Sequence, residues 1–185
     1  MQQNGKFNGW GRRVVRAAVT IAAAVVLTAV GASAGAAGAA PAADGARASF
    51  GGKTINLAVT WDKAQTCVVS TEDVRCFADA ATADAAIGNE EMQAAAIPAC
   101  ADGWLCLYQY KDGGGKRLIF QDEDWQNLDD YGFDNKTSSY RNRQSDGGGK
   151  LAHLEDGEGD LYTLSSGAYV SDMGDYDNRA SSVHP

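Results

Sequence analysis

Histidine is nearly absent: His153 and His184 are the only two in 185 residues. Neither belongs to a His-Glu-x-x-His pair or lies near a Gly-x-Ser-x-Gly elbow, so zinc-peptidase and α/β-hydrolase machinery cannot be assembled around them. No Gly-x-Gly-x-x-Gly unit follows a strand, which removes the dinucleotide cradle. Carboxylates are plentiful, yet the run Asp122-Glu123-Asp124 reads as a solvated loop rather than a glycosidase pair. The chain is therefore expected to bind and not to catalyse. Basic residues are also in deficit, with 16 Lys and Arg against 24 Asp and Glu. Residues 1–40 hold Lys6, Arg12, Arg13 and Arg16 and no acid, so the rest has 12 basic and 24 acidic residues, a net charge of −12. Such a chain is repelled by phosphate backbones, and nucleic acid is excluded as a partner.

Long apolar runs are missing too. The longest, Ala17 to Val30, is short for a membrane span. It follows a basic start and precedes small residues that include Ala32-Ser33-Ala34, the layout of a secretory signal peptide over 1–40 with cleavage between about 34 and 40. The product is expected to be secreted and extracellular, with no membrane segment once the signal is gone.

Cysteine is limited to four residues, none after Cys106. In an oxidising compartment an even number is normally paired, and spacing favours Cys67 with Cys76 and Cys100 with Cys106 among the three possible connectivities. Residues 41–77 read as a small β-hairpin region: Thr54 to Val59 alternates, and Cys67-Val68-Val69 and Val74-Arg75-Cys76-Phe77 flank a polar Ser-Thr-Glu-Asp turn. Residues 78–98 are Ala-rich, interrupted by Gly88 and ended by Pro98, and form a short helix or linker. From 99 to 185 short alternating stretches such as Leu105 to Tyr108 and Leu118 to Phe120 are punctuated by Gly113 to Gly115 and Gly147 to Gly149, the pattern of an all-β module.

That module repeats itself. Phe133-Asp134-Asn135-Lys136-Thr137-Ser138-Ser139 returns 43 residues later as Tyr176-Asp177-Asn178-Arg179-Ala180-Ser181-Ser182. A period of this size holds four short strands, one Greek key, and two keys close a sandwich. Each heptad gathers carboxylate, amide and hydroxyl oxygens with carbonyls between them, a donor set suited to Ca²⁺. The same residues also serve as turn formers whose hydroxyls tie strand ends.

At these heptads the sequence resembles the βγ-crystallin fold, whose calcium-binding members carry Asn/Asp-Asn/Asp-x-x-Ser/Thr-Ser once per Greek key. The resemblance implies an all-β, two-Greek-key βγ-crystallin-like sandwich over 99–185, preceded by the disulfide hairpin and the Ala-rich connector. Its double clamp implies calcium ligation by the Asn135 and Asn178 side chains, the Lys136 and Arg179 carbonyls and the Ser138 and Ser181 hydroxyls, with carbonyls near Gln109 and Glu155 as further donors. Asparagine rather than aspartate at both second positions gives modest affinity, on the order of 10⁻⁵–10⁻³ M. The second hairpin, Leu154 to Gly159, reads as one residue short.

Cys100-Ala101-Asp102-Gly103-Trp104-Leu105-Cys106-Leu107-Tyr108 looks like the opening of the Streptomyces-type metalloproteinase inhibitors, secreted proteins of this same fold. That resemblance implies an inhibitor that binds an extracellular, thermolysin-like metalloprotease without cleaving it. The family holds its reactive bond on a loop braced by a second in-domain disulfide, and no such bridge can form here. The hairpin closed by Cys67 and Cys76, with the apolar Val68 and Val69, is the substitute candidate. The other reading is a calcium-binding extracellular structural or stress-protective protein with no inhibitory activity. Residues 100–185 hold 16 acidic and eight basic residues, an excess that a bound cation would partly offset.

Overall fold

The computed structural model describes residues 44–88, 97–121, 123–145 and 147–185. The expected signal peptide and residues 89–96 of the connector lie outside these. Among the described residues no helix is long and apolar enough to cross a membrane.

The two repeats fold as two Greek keys. The first contains β5 (Leu105–Tyr108), β6 (Arg117–Phe120), β7 (Gln126–Asn127) and β8 (Ser139–Asn142); the second contains β9 (Gly149–Ala152), β10 (Leu161–Leu164), β11 (Tyr169–Val170) and β12 (Ser182–His184). Each key gives its third strand to the other's sheet. Strand β11 pairs with β8 through Tyr169↔Arg141, and β7 pairs with β12 through Ser182↔Asn127. The sheets thus hold β11-β8-β5-β6 and β10-β9-β12-β7. Neither key completes its sheet alone, and their facing sides bury Leu107, Phe120, Phe133, Leu151, Leu164 and Val183 in one core. This is the expected βγ-crystallin-like architecture.

The first sheet continues beyond β6. Before it in the chain run β1 (Arg47–Phe50), β2 (Lys53–Asn56), β3 (Thr66–Val69) and β4 (Val74–Phe77). Strand β3 lies parallel to β6, with Thr66↔Arg117 and Val69↔Phe120 in register, so the sheet grows to eight strands in the order β11-β8-β5-β6-β3-β4-β1-β2. The alternating stretch 54–59 is strand only to Asn56, because Asn56 Oδ1 accepts the Ala58 N–H and turns the chain. Cys67 and Cys76 face each other across β3 and β4 with Cα atoms 4.0 Å apart and are disulfide-bonded, as are Cys100 and Cys106.

Of the Ala-rich connector, α1 is the short helix Ala80–Ala86, started by Asp79, whose carboxylate accepts the Thr82 N–H at 2.8 Å. It covers the outer side of the sheet over a second cluster of Val68, Ala83, Cys100, Cys106, Tyr108 and Ile119. With both faces covered, every residue of β3, β5 and β6 is buried, so Leu105–Tyr108 and Leu118–Phe120 do not show the in–out alternation expected of them. Arg117 locks the layer in place: its guanidinium pairs with Asp84 of α1 at 2.9 Å and donates to the Ala99 carbonyl at 2.6 Å.

Candidate functional site

The heptads meet as a pair of crossed loops. Each starts at a buried aromatic, Phe133 or Tyr176, and each second-position asparagine takes a left-handed backbone, φ 52° at Asn135 and 55° at Asn178. Asparagine visits that region at little cost. Asn135 donates its backbone N–H to the Ala180 carbonyl at 2.9 Å, and Asn178 donates to Thr137 at 3.0 Å, so each loop is held by the other repeat. The sixth-position serines are structural. Ser139 donates to the Tyr110 carbonyl (2.7 Å) and accepts the Gly113 N–H (3.0 Å); Ser182 does the same with Leu154 (2.6 Å) and Gly157 (3.0 Å).

The fifth position behaves differently. Ser138, buried, has its N–H on the Tyr108 carbonyl and donates Oγ to Asn178 Oδ1 at 3.4 Å. Fifth and second positions from opposite repeats are therefore brought together, beside the strand end that carries Gln109. The other half is less converged: Asn135 donates its amide to its neighbour Asp134 (2.8 Å), and Ser181 has its N–H on Ala152. Lys136 turns outward and donates to Gly132. Arg179 pairs with Asp160 at 3.7 Å and lies over the Tyr176 ring, while its carbonyl is 3.0 Å from His153 Nδ1.

Two expectations need correction. The hairpins are equal in length: Asp112 and Asp156 both have positive φ, as do Gly113 with Gly157 and Gly115 with Gly159. In this part the repeats are offset by 44 residues, so Gln109 corresponds to His153 and Glu155 to Lys111. The Glu155 carbonyl already accepts the Glu158 N–H within its turn. Val68 and Val69 are not on a presented loop. They are 1% and 2% exposed, in β3 between β4 and β6, and what the hairpin presents is the turn Thr71-Glu72-Asp73.

The residues present fit a hard cation. Among the described residues no three His, Cys, Asp or Glu side chains cluster for a metal, so a cation at these loops would depend largely on amide, hydroxyl and carbonyl oxygens. Asp134 Oδ1 and Asp177 Oδ1, directly after the aromatic of each heptad, are buried without a hydrogen-bond partner. Such oxygens are costly unless a positive charge offsets them. The sequence places these carboxylates in the donor set, whereas the ligands implied by the resemblance come from the second, third and fifth positions only. Sequence reading missed Trp61, which is buried against the first loop, with its ring 6.0 Å from that of Phe133.

Residues 93–150 match the model of peptidase inhibitor family I36. The match spans the Cys100–Cys106 bridge and the first Greek key and stops at β9. No curated protein matches the chain. Among solved structures, the chain is similar to the N-terminal domain of protein S, with 20% identity over 44% of this chain and 92% of that one at a TM-score of 0.38. It is also similar to a βγ-crystallin from Ciona intestinalis, with 26% identity over 44% and 96% at 0.37. A mutant βγ-crystallin domain from Clostridium beijerinckii gives 15% identity over 43% and 93% at 0.37. A match to an inhibitor family points to binding of a protease rather than to catalysis. Residues 93–150 are similar to peptidase inhibitor family I36, and from Cys100 onward the chain forms a two-Greek-key, βγ-crystallin-like sandwich.

Proposed function

We propose that the protein is a secreted inhibitor of an extracellular, thermolysin-like metalloprotease, with a calcium-binding loop pair that stiffens the inhibitory domain. The observation that carries the inhibitor reading is the family match over 93–150. Two disulfides and a sheet running through both Greek keys support it, since a pre-ordered surface loses little entropy when it fills a protease cleft. The basic, then apolar, then small-residue start of the chain supports secretion.

Calcium would be held on one side by Asn178, Ser138 and the Arg179 and Gln109 carbonyls. On the other side Asn135, Ser181 and the Lys136 carbonyl are the donors. The cation would supply positive charge beside Asp134 and Asp177 and cross-link two loops from different repeats, with affinity on the order of 10⁻⁵–10⁻³ M. The contact between Ser138 and Asn178 also favours a second reading, a calcium-stabilised extracellular protein that inhibits nothing. One titration separates the two: the purified product is added to thermolysin with and without Ca²⁺, and its melting is followed in parallel. Stoichiometric inhibition supports the first reading. A calcium-dependent rise in melting temperature without inhibition supports the second.

A further inference from the structure

Strands β6 and β10 hold the same place in the two repeats, yet their outer edges differ. The edge of β6 is filled by β3, whose parallel register lets Arg117 donate its N–H to Gln65 at 2.9 Å and Gln121 donate to Val69 at 3.3 Å. Strand β10 ends its sheet, and among the described residues nothing pairs with its outer side. The His153 N–H donates to Asp160, so in the strict alternation of an antiparallel ladder Tyr162 and Leu164 face β9 while Leu161 and Thr163 turn their N–H and C=O groups outward. These are the positions of Arg117 and Ile119 in the other repeat. The sequence Leu-Tyr-Thr-Leu has no charge and no proline, the devices that normally blunt an edge. Leu161 is 55% exposed, and Leu154, in the same hairpin, is 52% exposed.

We infer that the free edge of β10, with Leu161 and Leu154 beside it, is the surface that pairs with an extended strand at the rim of the peptidase's substrate cleft. The inference rests on the inhibitor reading and names the contact surface that reading lacks once Val68 and Val69 are found buried. Strand addition supplies main-chain hydrogen bonds, and the leucines supply apolar contact. Charge selects the occupant. Glu155, Asp156, Glu158 and Asp160 lead into β10 and are exposed, so the complementary partner has a cationic rim, whereas a second copy brings the same acidic turn and the same net negative charge.

The test uses the full secreted chain against thermolysin with a synthetic peptide substrate. Thr163→Pro removes an outward N–H while leaving the β9 ladder intact, and Leu161→Lys charges the edge at an exposed position. Each is expected to raise the inhibition constant about tenfold with little change in melting temperature, while Tyr110→Ala, the counterpart of Leu154 in the first repeat, leaves it unchanged. If the proline variant unfolds, Leu161→Lys alone decides. Inhibition by wild type that both edge variants retain in full overturns this inference and leaves the inhibitor reading standing. Absence of inhibition by wild type overturns both. A dimer in sedimentation that Leu161→Lys dissociates would assign the edge to a second copy, against the inference.

Discussion

Trp61 donates its indole N–H to the carbonyl oxygen of Tyr131 at 2.7 Å, across 70 residues of chain. The bond pins the loop that leads into Asp134 and Asn135. Around it Ala46 donates its N–H to Asp130 at 2.9 Å, and Gly132, at φ 59°, packs so tightly against the Leu57 carbonyl that a Cβ would collide. The Lys116 ammonium sits 4.7 Å over the Trp61 ring, and burial together with the nearby Lys136 charge lowers its pKa. The strands before residue 78 therefore help to shape the first heptad loop, although the family match begins only at residue 93.

Trp61→Phe keeps most of the buried ring and removes only the donor, at an expected cost of about 1–2 kcal/mol. Trp61→Ala also leaves a cavity and costs about 3–5 kcal/mol. Denaturant melts of both variants measure the two losses, and equal losses would remove the hydrogen bond from the account.

Adjacent serines in one heptad are expected to separate structure from ligation. Ser139→Ala leaves the Tyr110 carbonyl and the Gly113 N–H without their partner and costs about 1–3 kcal/mol whether or not Ca²⁺ is present. Ser138→Ala is expected to weaken calcium binding several-fold, as is Asn178→Ala, with a smaller change in the melting temperature of the calcium-free protein. Calorimetric titration at millimolar Ca²⁺ reads this directly, and no heat from wild type would remove the calcium proposal.

The contrast between those two serines marks where sequence reading succeeds and where it stops. A repeat of four identical residues in seven was enough to expect two Greek keys, and the spacing of the cysteines was enough for both bridges. Local alternation says nothing about partners, so the exchange of β7 and β11 between sheets and the parallel docking of β3 on β6 were not legible. The same gap misplaced Val68 and Val69. An apolar pair beside a cysteine looks the same on a presented loop and in a strand covered on both faces, and only the neighbours β6 and α1 decide between them. The heptads repeat at 43 residues and the hairpins at 44, so carrying the heptad offset upstream misplaces the second hairpin, although Asp112-Gly113-x-Gly115 and Asp156-Gly157-x-Gly159 match in both residues and backbone.

Arg117 and Asp84 form a buried ion pair whose side chains are 4% and 10% exposed. Arg117→Ala takes the guanidinium away from the buried Asp84 carboxylate and is expected to destabilise by about 3–5 kcal/mol, whereas Arg117→Met with Asp84→Leu recovers most of that loss. A double mutant as unstable as the single one would show that hydrogen bonds to the backbone, not the stranded charge, dominate.

Tyr108 and Tyr140 are both pushed up to about 12, by burial in the first place. An unfolded tyrosine ionises near pH 10, so the folded state retains these protons to higher pH. The stability they contribute is complete below pH 10 and is lost as pH rises from about 10 through about 12. Tyr108→Phe also gives up the hydrogen bond to the Ala99 carbonyl, so it is expected to be less stable at neutral pH but to show a shallower alkaline slope. Urea midpoints between pH 8 and 11.5 measure that slope, and an unchanged slope would contradict the assignment.

Inhibition itself is the most direct measurement: the purified secreted chain is titrated into thermolysin at a fixed peptide-substrate concentration, with Ca²⁺ held constant. Peptidase activity is expected to fall in proportion to added protein, with the protein recovered uncleaved. Full activity in the presence of a large molar excess of the chain would contradict the inhibitor reading.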